Sequence, residues 1–121
     1  MLKWASPLAT ATGALGAALA VAAGPAAAEL NVVVTSKPIH SLVAGVMAGA
    51  GTPRLLLAGN VSPHTYSLKP SDAKALNAAD VVYRVSEGLE PFTAKVFKTL
   101  PKSVRTFSLA EAPGLTLLVN K

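Results

Sequence analysis

Short β-branched runs alternate along this chain with segments whose apolar residues recur every three or four positions. Leu30-Asn31-Val32-Val33-Val34-Thr35 is rich in valine and reads as a buried strand. Pro38 opens a helix at a position where its missing N–H does no harm. Ile39, Leu42, Val43, Val46 and Met47 then fall at helical spacing and predict one apolar face. Residues 49–53 carry Gly49, Gly51 and Pro53 and should stop that helix. Arg54-Leu55-Leu56-Leu57 reads as a second strand. After a polar, turn-rich stretch, Pro70 begins another helix. Asp72 sits in its first turn, where a negative charge complements the helix dipole, and Ala73, Leu76 and Ala79 give it a shallow apolar side. Val81-Val82-Tyr83-Arg84-Val85 predicts a third strand. Leu89, Phe92, Val96, Phe97 and Leu100 predict a further amphipathic helix, ended by Pro101, and residues 104–107 a fourth strand.

Strands that alternate with helices imply crossover units, and hence an α/β fold: one Rossmann-like lobe with a mostly parallel sheet of about four strands. Right-handed crossovers place every strand-to-helix loop on one rim of such a sheet. Residues 36–40, 58–69 and 86–90 should therefore share an edge. Both histidines, His40 and His64, would then lie on it.

The amino-terminal residues change the picture of where the chain works. Lys3 carries the only charge in residues 1–28, and an Ala-, Leu- and Gly-rich stretch follows it. Pro25 and then Ala26-Ala27-Ala28 form an exit of small residues that suits a signal peptidase. A cleaved signal peptide over 1–28 is expected, leaving 29–121 as one small domain. The uncharged stretch is long enough to be a membrane anchor, but alanine and glycine are only weakly apolar. The chain has no cysteine, which excludes a disulfide framework, a thiolate zinc site and a lipid-modified cysteine at the cut. A free periplasmic protein, monomeric and stabilised by its apolar core, is the expectation. The net charge of +5 is a mild excess. Lys95, Lys98 and Lys102 fall three and four apart and read as the solvated face of a helix. No aromatic residues interleave with them, so no nucleic-acid partner is expected.

The candidate chemistry lies in Asn60-Val61-Ser62-Pro63-His64-Thr65-Tyr66-Ser67-Leu68-Lys69-Pro70-Ser71-Asp72. This loop follows a predicted strand, where open α/β sheets present ligand-binding groups. Neutral imidazole is the commonest protein ligand for zinc and its neighbours. The loop by itself leaves open whether His64 is a ligand or a plain surface residue. His40 could face the same cleft, or could be a helix-start histidine bonded to backbone. An imidazole must be neutral to bind a metal, so zinc affinity should fall in acid. Its second nitrogen needs a partner to fix the tautomer, for which Tyr66, Ser67 or a loop carbonyl are the candidates.

Several pieces together resemble the metal-binding periplasmic proteins of ABC importers, the zinc-specific branch most closely. They are Thr35-Ser36-Lys37-Pro38, the loop from Ser62 to Asp72, Asn77-Ala78-Ala79-Asp80, and Gly88-Leu89-Glu90. The resemblance covers residues 30 to about 118, and the histidine loop is its most specific part. It implies two α/β lobes joined by a long helix, a metal held between them, and delivery to an inner-membrane permease. It implies that His64 is the first-lobe ligand and that zinc is the cargo. The remaining ligands and a histidine-rich loop would lie beyond Lys121, so this chain is expected to hold the N-terminal lobe only. Pro63 departs from relatives that carry an acidic residue just before the histidine.

Other signals have plainer readings. Gly49-Ala50-Gly51-Thr52 lacks the lysine of a phosphate loop. Ser62, His64 and Asp72 are triad residue types crowded together with no nucleophile elbow. Glu87 and Glu90 could pair as carboxylates or merely favour a helix start. No enzyme is expected. The rival readings are manganese or ferrous iron capture, an exported metal-dependent hydrolase domain, and a decayed gene product.

Overall fold

The computed structural model describes residues 27–118, so the expected signal peptide lies almost wholly outside the described residues. Strands β1 (Val32–Val34), β2 (Arg54–Leu55), β3 (Val81–Arg84) and β4 (Arg105–Ser108) alternate with helices α1 (Lys37–Val46), α2 (Pro70–Asn77) and α3 (Thr93–Thr99). All strand pairs are parallel, in the order β2-β1-β3-β4. The α/β lobe expected from the alternation of elements is thus the fold observed. β1, β2 and β3 are one to three residues shorter than their apolar runs, and β4 keeps its predicted length but begins one residue later. The ladder nonetheless continues past β2, because the N–H groups of Leu56 and Leu57 donate to the carbonyls of Val34 and Thr35.

The strand order dictates where the helices go. The step from β1 to β2 runs one way across the sheet, and the later steps run the other way. With right-handed crossovers the first helix must lie on one face and the next two on the opposite face. Val33 and Val82 point toward Leu76 and Ala79 at α2, and toward Phe92, Val96, Phe97 and Leu100 around α3. Val32 and Val34 point the other way, toward Ile39 and Val43 of α1 and Met47 at its end. β1 is covered on both faces, which is why three successive valines are all buried. Gly49 (φ 83°) lets the chain leave α1 in a conformation that side chains resist.

The apolar face of α1 is only half used. Ile39 is buried, whereas Leu42 and Val46 are 69% and 88% exposed. α1 is the α-helix described on this side of the sheet, and it lies over β1, with Leu109 of the short 3-10 turn at Leu109–Glu111 packing beside it. Toward β3 an apolar groove of about 460 Å³ stays open, bounded by Leu30, Leu42, Val46, Tyr83 and Leu109. Lys95, Lys98 and Lys102 are exposed, as a solvated helix face requires. No described helix is long and apolar enough to cross a membrane.

The two sides of α1 should answer differently to truncation. Ile39→Ala removes buried methyls and should cost about 2–5 kcal/mol. Val46→Ala should stay within about 0.5 kcal/mol, as surface changes do. Urea unfolding at unchanged m-value checks both; equal losses at the two positions would contradict this packing.

Candidate metal site

The rim at the carboxyl ends of the strands is built around a buried acid. Glu90 is fully buried. Its carboxylate accepts the Thr35 hydroxyl from the end of β1, and the N–H groups of Val85 (2.7 Å) and Ser86 (3.1 Å) from the end of β3. A carboxylate held by several donors needs no neighbouring cation. The Glu90 carbonyl in turn accepts the Thr93 hydroxyl at 2.6 Å. Thr93 receives the buried Arg84 guanidinium at 2.8 Å, and Arg84 also reaches Ser108 on β4 at 2.7 Å while lying 4.4 Å from the centre of the Phe97 ring. Glu90 and Glu87 do not pair as carboxylates: Glu87 is exposed, with an oxygen 3.8 Å from Arg84. The sequence hints only faintly that Glu90 turns inward. Its place three residues before a threonine on the same helix-start side is the only available signal.

Three rim loops enclose a cavity of about 280 Å³. Ser36, Lys37 and Pro38 come from the loop after β1, Leu57, Gly59, Val61 and Pro63 from the one after β2, and Val85 and Leu89 from the one after β3. The shared edge expected from right-handed crossovers is therefore present. Crossovers diverge to opposite faces at β1 and β3, which makes this the topological switch point, where open α/β sheets bind ligands. Ser36 adds a buried hydroxyl with no hydrogen-bond partner among the described residues.

His64 follows Pro63 on this edge. It is exposed in a turn of residues 63–65, where the Thr65 N–H donates to the Ser62 carbonyl at 3.3 Å. Gly59 (φ 84°) turns the chain off β2 and toward this loop. His40 is placed differently. It lies one turn into α1, half-buried, and its Nε2 is 2.9 Å from the carbonyl of Pro53 at the amino end of β2. It is not among the residues that line the rim cavity. The two histidines thus have different surroundings, although both follow strand ends. One helical turn carries the His40 ring back along the sheet.

Tyr66 does not serve the His64 ring as hydrogen-bond partner. Its hydroxyl donates to Asp72 Oδ2 at 2.5 Å, and its ring meets Phe92 edge-on at 5.2 Å between centroids. Asp72 is buried at the third position of α2 and also accepts the Lys69 N–H at 3.0 Å. It caps its helix as its position in the sequence predicts, and it is committed to Tyr66 and Lys69 rather than to a triad with His64. The bond to Asp72, and secondarily burial, push the Tyr66 hydroxyl up to about 12. Among the described residues, no three His, Asp or Glu side chains converge to hold a metal ion. The rim thus presents the exposed His64 imidazole, with Glu90 and Asp72 committed to structure and Glu87 exposed beside Arg84.

Two measurements probe these bonds. Glu90→Gln replaces one acceptor oxygen by a donor facing donors, so it should cost about 1–3 kcal/mol. It should also speed hydrogen exchange at Val85 and Ser86; unchanged exchange there would refute the clamp. In a Tyr83→Phe background, ultraviolet titration should find the remaining phenol ionising near 12, and Asp72→Asn should bring it back toward about 10. Because the folded value is raised, the associated stability is complete below the unfolded value and is lost as pH rises through the folded one.

Comparison with known proteins places this geometry in context. Residues 32–118 match the family model described as zinc-uptake complex component A, periplasmic. The high-affinity zinc uptake system protein ZnuA of Brucella abortus is 45% identical over 88 residues, which are 73% of this chain and 26% of that protein. The chain therefore spans about a quarter of that relative's length. The Zn(II)-bound ZnuA-like domain of Streptococcus pneumoniae AdcA superposes with a TM-score of 0.65 at 27% identity, over 75% of this chain and 33% of that one. The periplasmic zinc binding protein TroA of Treponema pallidum gives 0.61 at 25% identity, over 68% and 30%.

Proposed function

The chain belongs to the family of periplasmic zinc-uptake complex component A proteins, and from that premise we propose that it is the N-terminal lobe of a zinc-capture protein that serves an ABC importer. Residues 1–28 would direct export to the periplasm and be removed, leaving 29–121 as the working lobe. Zinc is the cargo, and an inner-membrane permease is the partner that receives it. The lobe acts by binding and release, with no catalytic step.

The observation that carries this reading is the position of His64. It is an exposed imidazole at the carboxyl edge of a parallel sheet, next to a cavity at the switch point. Zinc prefers imidazole nitrogen in a tetrahedral set, so one histidine is a quarter of a closed site. The other ligands would come from a second lobe facing this rim. His40, the second ligand candidate, keeps only Nδ1 uncommitted while Nε2 is held by Pro53, and we assign it to anchoring α1 against the start of β2.

The rim also favours zinc over harder cations. Manganese and ferrous iron call for carboxylate-rich sets. Here Glu90 is buried under three donors, Asp72 is taken by Tyr66 and Lys69, and Pro63 precedes the histidine. A hydrolytic metal centre would need several ligands and a general base around one open position, and among the described residues no three His, Asp or Glu side chains converge on one.

The test is a zinc titration of the chain against a competing chelator. Binding should be much weaker than nanomolar, should fall about tenfold or more on His64→Ala, and should survive His40→Ala. Wild-type affinity in the His64 variant would exclude the assignment. Nanomolar binding by the lobe alone would exclude a site completed elsewhere.

A further inference from the structure

We propose that Tyr66 is the positioning residue of the His64 turn: its hydroxyl, bonded to Asp72, pins the loop to the first turn of α2 and thereby holds the imidazole ready for a divalent cation. The proposal rests on the reading of His64 as a zinc ligand and adds to it a residue that never touches the metal.

The loop between β2 and α2 is long and has little to hold it. Residues 58–69 contain no strand or helix, and the turn at His64 is closed by one backbone bond of 3.3 Å. A loop of that length has substantial conformational freedom unless it is tied down. Tyr66, two residues beyond the histidine, provides two ties. Its ring packs against the core cluster and edge-on to Phe92. Its hydroxyl reaches Asp72 Oδ2, which also holds the Lys69 backbone N–H. One buried carboxylate on α2 thus fixes both ends of the segment 66–69.

The two ties are separable. Packing against Phe92 needs only an aromatic ring, and phenylalanine would supply it. The hydroxyl adds a directional bond that sets where the loop stands relative to α2. Without that bond the turn samples positions in which the imidazole is misplaced, and apparent affinity falls in proportion to the competent fraction.

Zinc titrations followed by ¹H–¹⁵N NMR, on the full chain and its Y66F, D72N, H64A and H64A/Y66F variants, test this. Y66F and D72N should weaken zinc binding about threefold to tenfold, with the His64 ring resonances broadened or doubled. In the H64A background Y66F should change nothing further. If Y66F binds zinc as wild type while H64A is impaired, positioning is refuted and the ligand assignment stands. If H64A itself binds as wild type, the ligand assignment fails and the proposal with it. Equal weakening by Y66F with and without His64 would reduce Tyr66 to a structural role. Y66F keeps the ring and its Phe92 contact, so it decides alone if D72N does not fold.

Discussion

A single buried carboxylate organises the working edge of this lobe. Glu90 accepts from the end of β1 through Thr35, and from the end of β3 through the N–H groups of Val85 and Ser86. These are the strands whose loops part to opposite faces of the sheet. A gap at such a point tends to spread, because each loop follows its own helix. Charge-assisted bonds in a dry environment are strong and directional, so Glu90 ties the two strand ends together across the gap.

The clamp belongs to a wider polar network that is satisfied almost throughout. Thr93 passes the connection from Glu90 to Arg84, and Arg84 extends it to Ser108 while resting on Phe97. Burying an arginine and a glutamate would be costly if either were unpaired. Here the two are separate members of one chain of donors and acceptors, so neither needs the other's charge. The consequence for function is subtractive. Glu90 and Asp72 are absorbed into structure, while the His64 imidazole and the Glu87 carboxylate, 3.8 Å from Arg84, face solvent.

The other face of the lobe is less complete. α1 buries Ile39 but leaves Leu42 and Val46 in the open, above a groove that runs to Tyr83 and Leu109. Tyr83 stacks on Phe107 at 5.4 Å, and Arg105 lies 5.5 Å from the same ring. These contacts give β3 and β4 partial cover where no helix lies over them. The lobe therefore has one well-packed side, which carries the clamp and the histidine loop, and one side with apolar surface to spare.

Much of this was legible in the residues. Valine runs, the prolines at 38 and 70, and the glycines after α1 announce strands, helix starts and a stop through local sterics and periodicity alone. Parallel topology and the shared rim follow, because crossover handedness leaves few alternatives. The histidine loop stood out by its polarity and its place after a strand. What the chain could not announce was direction. Glu90 looked like a helix-start acid and proved to be the clamp. His40 could be read as facing the cleft or as a helix-start histidine bonded to backbone, and its ring meets the Pro53 carbonyl. Tyr66 looked like a tautomer-fixing neighbour and is bonded to Asp72 instead. In each case residue type set what bond could form. Which bond did form was decided by the closing of the sheet for Glu90 and His40, whose partners Thr35 and Pro53 lie 55 and 13 positions away, and by the turn of the chain into α2 for Tyr66, whose partner Asp72 lies six positions on.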